Sequence, residues 1–146
     1  MSTHVWPRRL LTALYWYVAL TFFMGFVTKF WPGPTFFGPA YSVKFVEWGY
    51  PAWFRFVVGA LEGVCAVLLV IPRTRAKFVG AAVLILVLTG ATTTHIIANG
   101  EEPYERVAAP INLMVMVFFA LVNWPSDWRE LLRPWQKAPR GSVRGA

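Results

Sequence analysis

FVVGALEGVCAVLLVIPRTRAKFVGAAVLILVLTGATTTHIIAN, residues 56–99, sets two apolar runs on either side of a short basic stretch, PRTRAK at 72–77. The first run, 56–72, is broken only by Glu62. The second, 78–99, has no formal charge and carries His95. Crossing a bilayer takes about 20 mostly apolar residues, so each run reads as a membrane helix. A connection this short makes the two antiparallel neighbours.

Two further runs flank this pair. Residues 10–28 follow Arg8 and Arg9 and hold no formal charge, and residues 107–124 hold none either. The N-terminal run is long and aromatic and no A-x-A-like site follows it, so it reads as a retained span rather than a signal peptide. Pro110, near the start of the last run, is tolerable in a first helical turn. Composition agrees: of 146 residues, 57% are hydrophobic and only 14% charged, against about 25% charged in a soluble domain. A chain this small exposes most of its residues, and the solvent they meet is read as lipid. The expected fold is all-α, an integral membrane antiparallel four-helix bundle over 10–124. It lies between an N-terminal tail, 1–9, and a basic amphipathic tail, 125–146.

The net charge of +7 does not point to nucleic acid, because the cations flank apolar runs instead of lining one helix face. With the N-terminus in the cytoplasm, Arg8, Arg9, Arg73, Arg75, Lys77 and the five cations after residue 128 lie inside. Lys44, Arg55 and Arg106 lie outside, with Lys29 close by. This positive-inside bias puts both termini in the cytoplasm, with a bacterial inner membrane as the expected location. The connection 31–53 is the long one. Trp31-Pro32-Gly33-Pro34 breaks the first helix. After it, about ten residues, 39–48, read as a short interfacial helix with Tyr41, Phe45 and Trp48 on or near one side. Residues 127–135 read as a second interfacial segment.

Polar groups inside apolar runs need an explanation, since a charge in hydrocarbon costs several kcal/mol. Glu62 lies roughly 12 Å from the outer end of its helix at 1.5 Å per residue. Lys29, His95 and Asn112 each sit near the outer end of one of the other three, so four helices bring a polar group to a similar depth. Spacing supports a shared interior. Arg55, Gly59, Glu62 and Ala66 form one helical stripe, as do Leu88, Ala91, Thr92, His95 and Asn99, while Thr21, Gly25 and Lys29 lie four apart. The expectation is a polar chamber opening outward and lined by Lys29, Arg55, Glu62, Thr92, His95 and Asn112. Two readings of Glu62 stand side by side: a structural bolt to Lys29, whose stem reaches down from the boundary, or a group that meets a ligand together with His95. Gly59 and Gly63 form a G-x-x-x-G pair, read as close packing within the bundle.

Other chemistry finds no foothold. One cysteine, Cys65, excludes an internal disulfide and a CxxC pair. Two histidines, His4 and His95, make no metal site, so no metal is expected. No GxSxG, HExxH, phosphate loop or dinucleotide fingerprint is present, and enzyme activity is left open.

The order of short motifs carries a resemblance. Gly25-x-x-x-Lys29 closes the first run, Gly49-Tyr50-Pro51 precedes the second, and Gly59-Ala60-Leu61-Glu62 lies within it. Pro72-Arg73 follows, and Gly90-Ala91 and His95 end the third. Over roughly residues 10–124 this resembles the DoxX-like family of small four-pass membrane proteins. The resemblance implies a compact four-helix bundle, polar positions at Lys29, Glu62 and His95, and structural ones at Gly25, Gly59 and Pro72. Some relatives are associated with quinone chemistry, including thiosulfate:quinone oxidoreductase subunits and quinone-resistance proteins; others belong to membrane oxidoreductase assemblies, and distant ones act as membrane chaperones. The expected function is a redox-associated accessory protein whose chamber binds a quinone-like or other small amphipathic molecule. The alternatives are a non-enzymatic subunit or assembly factor of a larger membrane complex and, in an oligomer, a small transporter. Expected partners are the lipid bilayer and either a membrane redox complex or further copies of the chain.

Overall fold

In a computed structural model, residues 5–98 and 103–126 are described. Among them the chain is all-helical: α1 (Val5–Phe30), α2 (Tyr41–Glu47), α3 (Phe54–Val70), α4 (Thr74–Ile97) and α5 (Pro103–Val122). The expected tail segment 127–135, and His4 and Asn99, lie outside the described residues.

Prolines set several of the boundaries. Pro32 follows the last turn of α1, and Pro72 holds Ile71 extended at φ −62°, ψ 129°, which stops α3 at Val70. The basic connection is therefore tighter than its sequence suggests. α4 begins at Thr74, and the turn is Ile71 to Arg73, closed by Arg73 N–H donating to the Ile71 carbonyl at 2.7 Å. The last helix corrects the sequence reading. It starts at Pro103, not near residue 107, so Pro110 stands inside the helix rather than in its first turn. Pro103 suits a first helical position, where its missing N–H has no partner to lose. Glu105 adds a negative charge to the first turn, where the helix dipole favours it.

Among the described residues three helices are long and apolar enough to cross a membrane: Trp6–Phe30, Thr74–Ile97 and Pro103–Val122. α3, with 17 residues, is shorter, about 25 Å at 1.5 Å per residue.

α1 packs on α3, α3 on α4, and α4 on α5, while α2 sits across α3 and α1. One apolar core joins the four long helices. It includes Phe22 of α1, Cys65 and Leu69 of α3, Leu84 and Leu88 of α4, and Met116 and Phe119 of α5. Close approach depends on residues without a side chain. A Cβ on Gly59 would meet Lys29 Cβ at 3.0 Å, and one on Gly63 would meet the Phe26 ring at 3.0 Å. The G-x-x-x-G pair thus packs α3 against α1 inside the bundle. Gly80 brings α4 onto α3, where an added Cβ would stand 3.0 Å from Leu68 Cβ and 3.3 Å from the Cys65 carbonyl. Neither neighbour ends a flexible chain. Overpacking should outweigh the roughly 1 kcal/mol that replacing a helical glycine returns. Gly80→Ala is therefore expected to lose about 1 kcal/mol, read as a lower thermal unfolding midpoint in detergent.

The α1 start and the α5 end meet through a polar contact in the core. Asn123 Nδ2 donates to the Tyr15 hydroxyl and to the Phe119 carbonyl, 2.7 Å from the latter. The Tyr15 and Phe119 rings stack at 4.1 Å, with Lys77 Nζ 4.1 Å from the Tyr15 centroid. Asn123 closes an apolar run in the sequence, which carries no sign of a buried partner on α1.

At the other end α2 is bracketed by two glycines in the left-handed region, Gly38 at φ 101° and Gly49 at φ 85°. Gly49 ends α2 in a Schellman turn: Tyr50 N–H donates to the Phe45 carbonyl at 2.8 Å, and Gly49 N–H to that of Val46 at 3.0 Å. The Tyr50 and Phe45 rings, 6.2 Å apart, supply the apolar contact that accompanies this turn. Phe45 is buried under α2, so the helix is fixed on its inner side.

Candidate functional site

Lys29, in the last turn of α1, and Glu62, two turns into α3, meet inside the bundle. Lys29 Nζ donates to Glu62 Oε2 at 2.8 Å, and each side chain keeps only 10% of its exposure. Helical spacing explains the meeting. Gly59, Glu62 and Ala66 are all buried on one α3 stripe, against the α1 stripe of Phe22, Gly25 and Lys29. Thr21, which the four-residue spacing also places there, faces outward and donates to the Tyr17 carbonyl. Gly25 leaves space for the carboxylate: a Cβ there would lie 2.6 Å from Glu62 Oε2 and 3.6 Å from Lys29 Nζ. Among the described residues Lys29 is the only donor to this carboxylate.

A second, partly buried ion pair lies beside the first. Lys44, on the inner face of α2, donates to Glu105 of α5 and to the Phe37 carbonyl, 2.7 Å from the latter. The Tyr41 ring links the two pairs, with Lys29 Nζ 4.8 Å and Lys44 Nζ 5.5 Å from its centroid. Burial pushes the Tyr41 phenol above its ordinary range. The negative charges of Glu62 and Glu105 add to that rise, and Lys44 opposes it. Sequence reasoning missed Tyr41, Lys44 and Glu105 as members of the site. It placed Tyr41 and Lys44 on a helix lying along the interface and Glu105 in an outer hairpin, and only the inward turn of α2 brings them to Lys29. Removing Lys44 leaves Glu105 without its cation. Glu105 keeps 20% exposure and a helix N-terminus, so Lys44→Ala is expected to cost only about 1–2 kcal/mol. Thermal unfolding checks this, with Lys44→Arg as the conservative control.

The other expected chamber residues occupy the same end without joining this pair. Arg55 donates from Nη1 to the Trp31 carbonyl at 3.1 Å and lies 4.4 Å over the Phe56 ring, tying the start of α3 to the end of α1. His95 meets Trp48 edge-on with ring centroids 5.0 Å apart. Thr94 beside it shares a 3.0 Å hydrogen bond with the Tyr50 hydroxyl. Asn112 turns its amide back on its own helix, to the Ala108 carbonyl at 2.9 Å. Thr92 Oγ1 is buried and makes no hydrogen bond among the described residues, although Thr89, Thr93 and Thr94 each bond back one turn along α4. The ends of α1 and α4, the starts of α3 and α5, and α2 share one end of the bundle.

The cluster offers a high density of buried donors and acceptors at the end of an apolar bundle. Two ammonium groups and two carboxylates lie around one phenol ring. Such a set can hold the polar head of a molecule whose remainder is apolar.

A model of the DoxX-like family matches residues 13–120, and the chain belongs to that family. Neither a curated protein nor a solved structure matches it. Family membership and the apolar helices make it a membrane protein whose spans contact the lipid bilayer.

Proposed function

Starting from that family, we propose a four-span bundle of a bacterial inner membrane, with both termini in the cytoplasm and α2 at the outer interface. α3 is the fourth span in this reading, its 17 residues fitting a locally thinned bilayer or one relieved by the α2 cover. The bundle binds the polar head of a quinone-like or other small amphipathic molecule and serves as a redox-associated accessory protein. The buried Lys29–Glu62 pair, held against Gly25, carries this reading. Two ions are costly to bury and an apolar pair of similar volume is often as stable, so a purely structural bolt is a poor reason for keeping them. The residues around the pair suit an aromatic head with oxygen substituents: Lys29 and Lys44 bring ammonium donors, and Tyr41 brings a ring face.

The test is extraction into mild detergent followed by mass spectrometry of co-purified small molecules. A stoichiometric aromatic amphiphile retained by the natural chain and lost in Glu62→Gln is the expected result. A defined protein partner with no small molecule would favour the assembly-factor reading instead.

A further inference from the structure

We propose that the Lys29–Glu62 pair is a hydroxyl clamp. It selects amphipathic molecules whose head carries an O–H, a phenol above all, over heads that offer only acceptor oxygens. The inference rests on the reading that this pair meets a ligand, and it adds which chemistry the ligand must present.

Hydrogen-bonding capacity at the pair exceeds the bonds made there. An ammonium has three N–H groups and a carboxylate about four lone-pair sites. The pair is joined by one bond, Lys29 Nζ to Glu62 Oε2 at 2.8 Å. Lys29 turns otherwise toward the Tyr41 ring, and no second donor among the described residues reaches the carboxylate. A donor and an acceptor of opposite charge thus stand side by side with capacity left on both. Each side chain is one-tenth exposed, so the pair is not sealed off. Beside the carboxylate lies Gly25, whose missing Cβ leaves that oxygen its room.

A hydroxyl fits such a pair because it gives and accepts at one atom. Its O–H donates to Glu62 and its lone pair accepts from Lys29, and the ion pair stays intact. A quinone carbonyl, an ether or an ester only accepts. Such a head can take a bond from Lys29, yet it sets a further oxygen against the carboxylate and leaves that carboxylate's spare lone pairs desolvated without a donor. In a site of low polarity the cost of the unsatisfied group outweighs the bond gained from Lys29, and sites built around a hydroxyl reject analogues that lack it.

The experiment uses the whole chain in lipid nanodiscs, with three probes of matched tail: para-octylphenol, para-octylanisole and octyl-para-benzoquinone. Affinity is read by calorimetry, with empty nanodiscs giving the lipid background. The phenol is expected to bind at least about tenfold tighter than the methyl ether and the quinone, a difference of about 1.4 kcal/mol. A Lys29→Met/Glu62→Leu double variant, which exchanges the ion pair for apolar side chains, should bind phenol and ether alike. Equal affinities for phenol and ether on the natural chain overturn the clamp. A preference for the quinone also overturns it while leaving an amphiphile site in place. No binding of any probe removes both the clamp and the reading it rests on. The comparison on the natural chain decides the matter whether or not the double variant folds.

Discussion

Lys29→Met is expected to destabilise the bundle by about 3–5 kcal/mol, while the double variant Lys29→Met/Glu62→Leu stays within about 1–2 kcal/mol of the natural chain. The single change takes from the buried Glu62 the one donor it has among the described residues, and desolvation of that carboxylate is then uncompensated. Removing both partners takes away the attraction and the desolvation cost together. The four unfolding midpoints, including Glu62→Leu alone, form a double-mutant cycle whose coupling should be at least about 1.5 kcal/mol for residues in direct contact. Additive single effects would show that the 2.8 Å contact does not hold in the membrane.

Gly25→Ala should have the next largest effect, a loss of about 2 kcal/mol with loss of amphiphile binding. The steric overlap alone is not the cause. Glu62 Oε2, 2.6 Å from the new methyl, ends a flexible chain and can swing aside. Swinging aside, however, breaks the bond to Lys29, and hydrogen bonds to charged groups contribute about 1.5–3 kcal/mol. The helix regains at most about 1 kcal/mol from replacing glycine. Gly90 is the control: nothing lies within 4 Å of a Cβ there. Gly90→Ala should be neutral or slightly stabilising, since only the gain in helix propensity remains. If both alanine variants melt alike, the carboxylate does not stand beside Gly25.

Much of this arrangement is readable from the chain. The apolar runs mark the long helices, because period and length alone decide where a helix can be buried. Lys29 and Glu62 announce themselves because an ionisable residue in an apolar run must find a partner, and the lysine stem spans the difference in their depths from the helix ends. Gly25 and Gly59 are marked by the same stripes. Boundaries are less readable. Charged Arg8, Arg9 and Arg75 lie within helices, since a helix runs past the hydrophobic stretch as long as its backbone bonds are satisfied. Pro103 and Glu105 look like loop residues yet make a sound first turn for α5. The second ion pair is hidden for a different reason. Lys44 lies in a short amphipathic segment whose inner face cannot be chosen from seven residues, and its partner comes from 61 positions away. His95 illustrates the limit of reading stripes: its stripe places it at the right end of the bundle, but not against Trp48.

The segment between Phe30 and Phe54 connects two helices that already touch, and by chain order it has nothing more to do. Beyond its packing on α1 and α3 it also reaches the other two helices: Lys44 to Glu105 on α5, Trp48 to His95 and Tyr50 to Thr94 on α4. It works as a clasp, fastening the second half of the molecule to the first at the rim farthest from the Tyr15–Asn123 seam. Trimming this connection would therefore leave α1 and α3 seated and let α4 and α5 splay from them, damage that falls on helices the excision never touched.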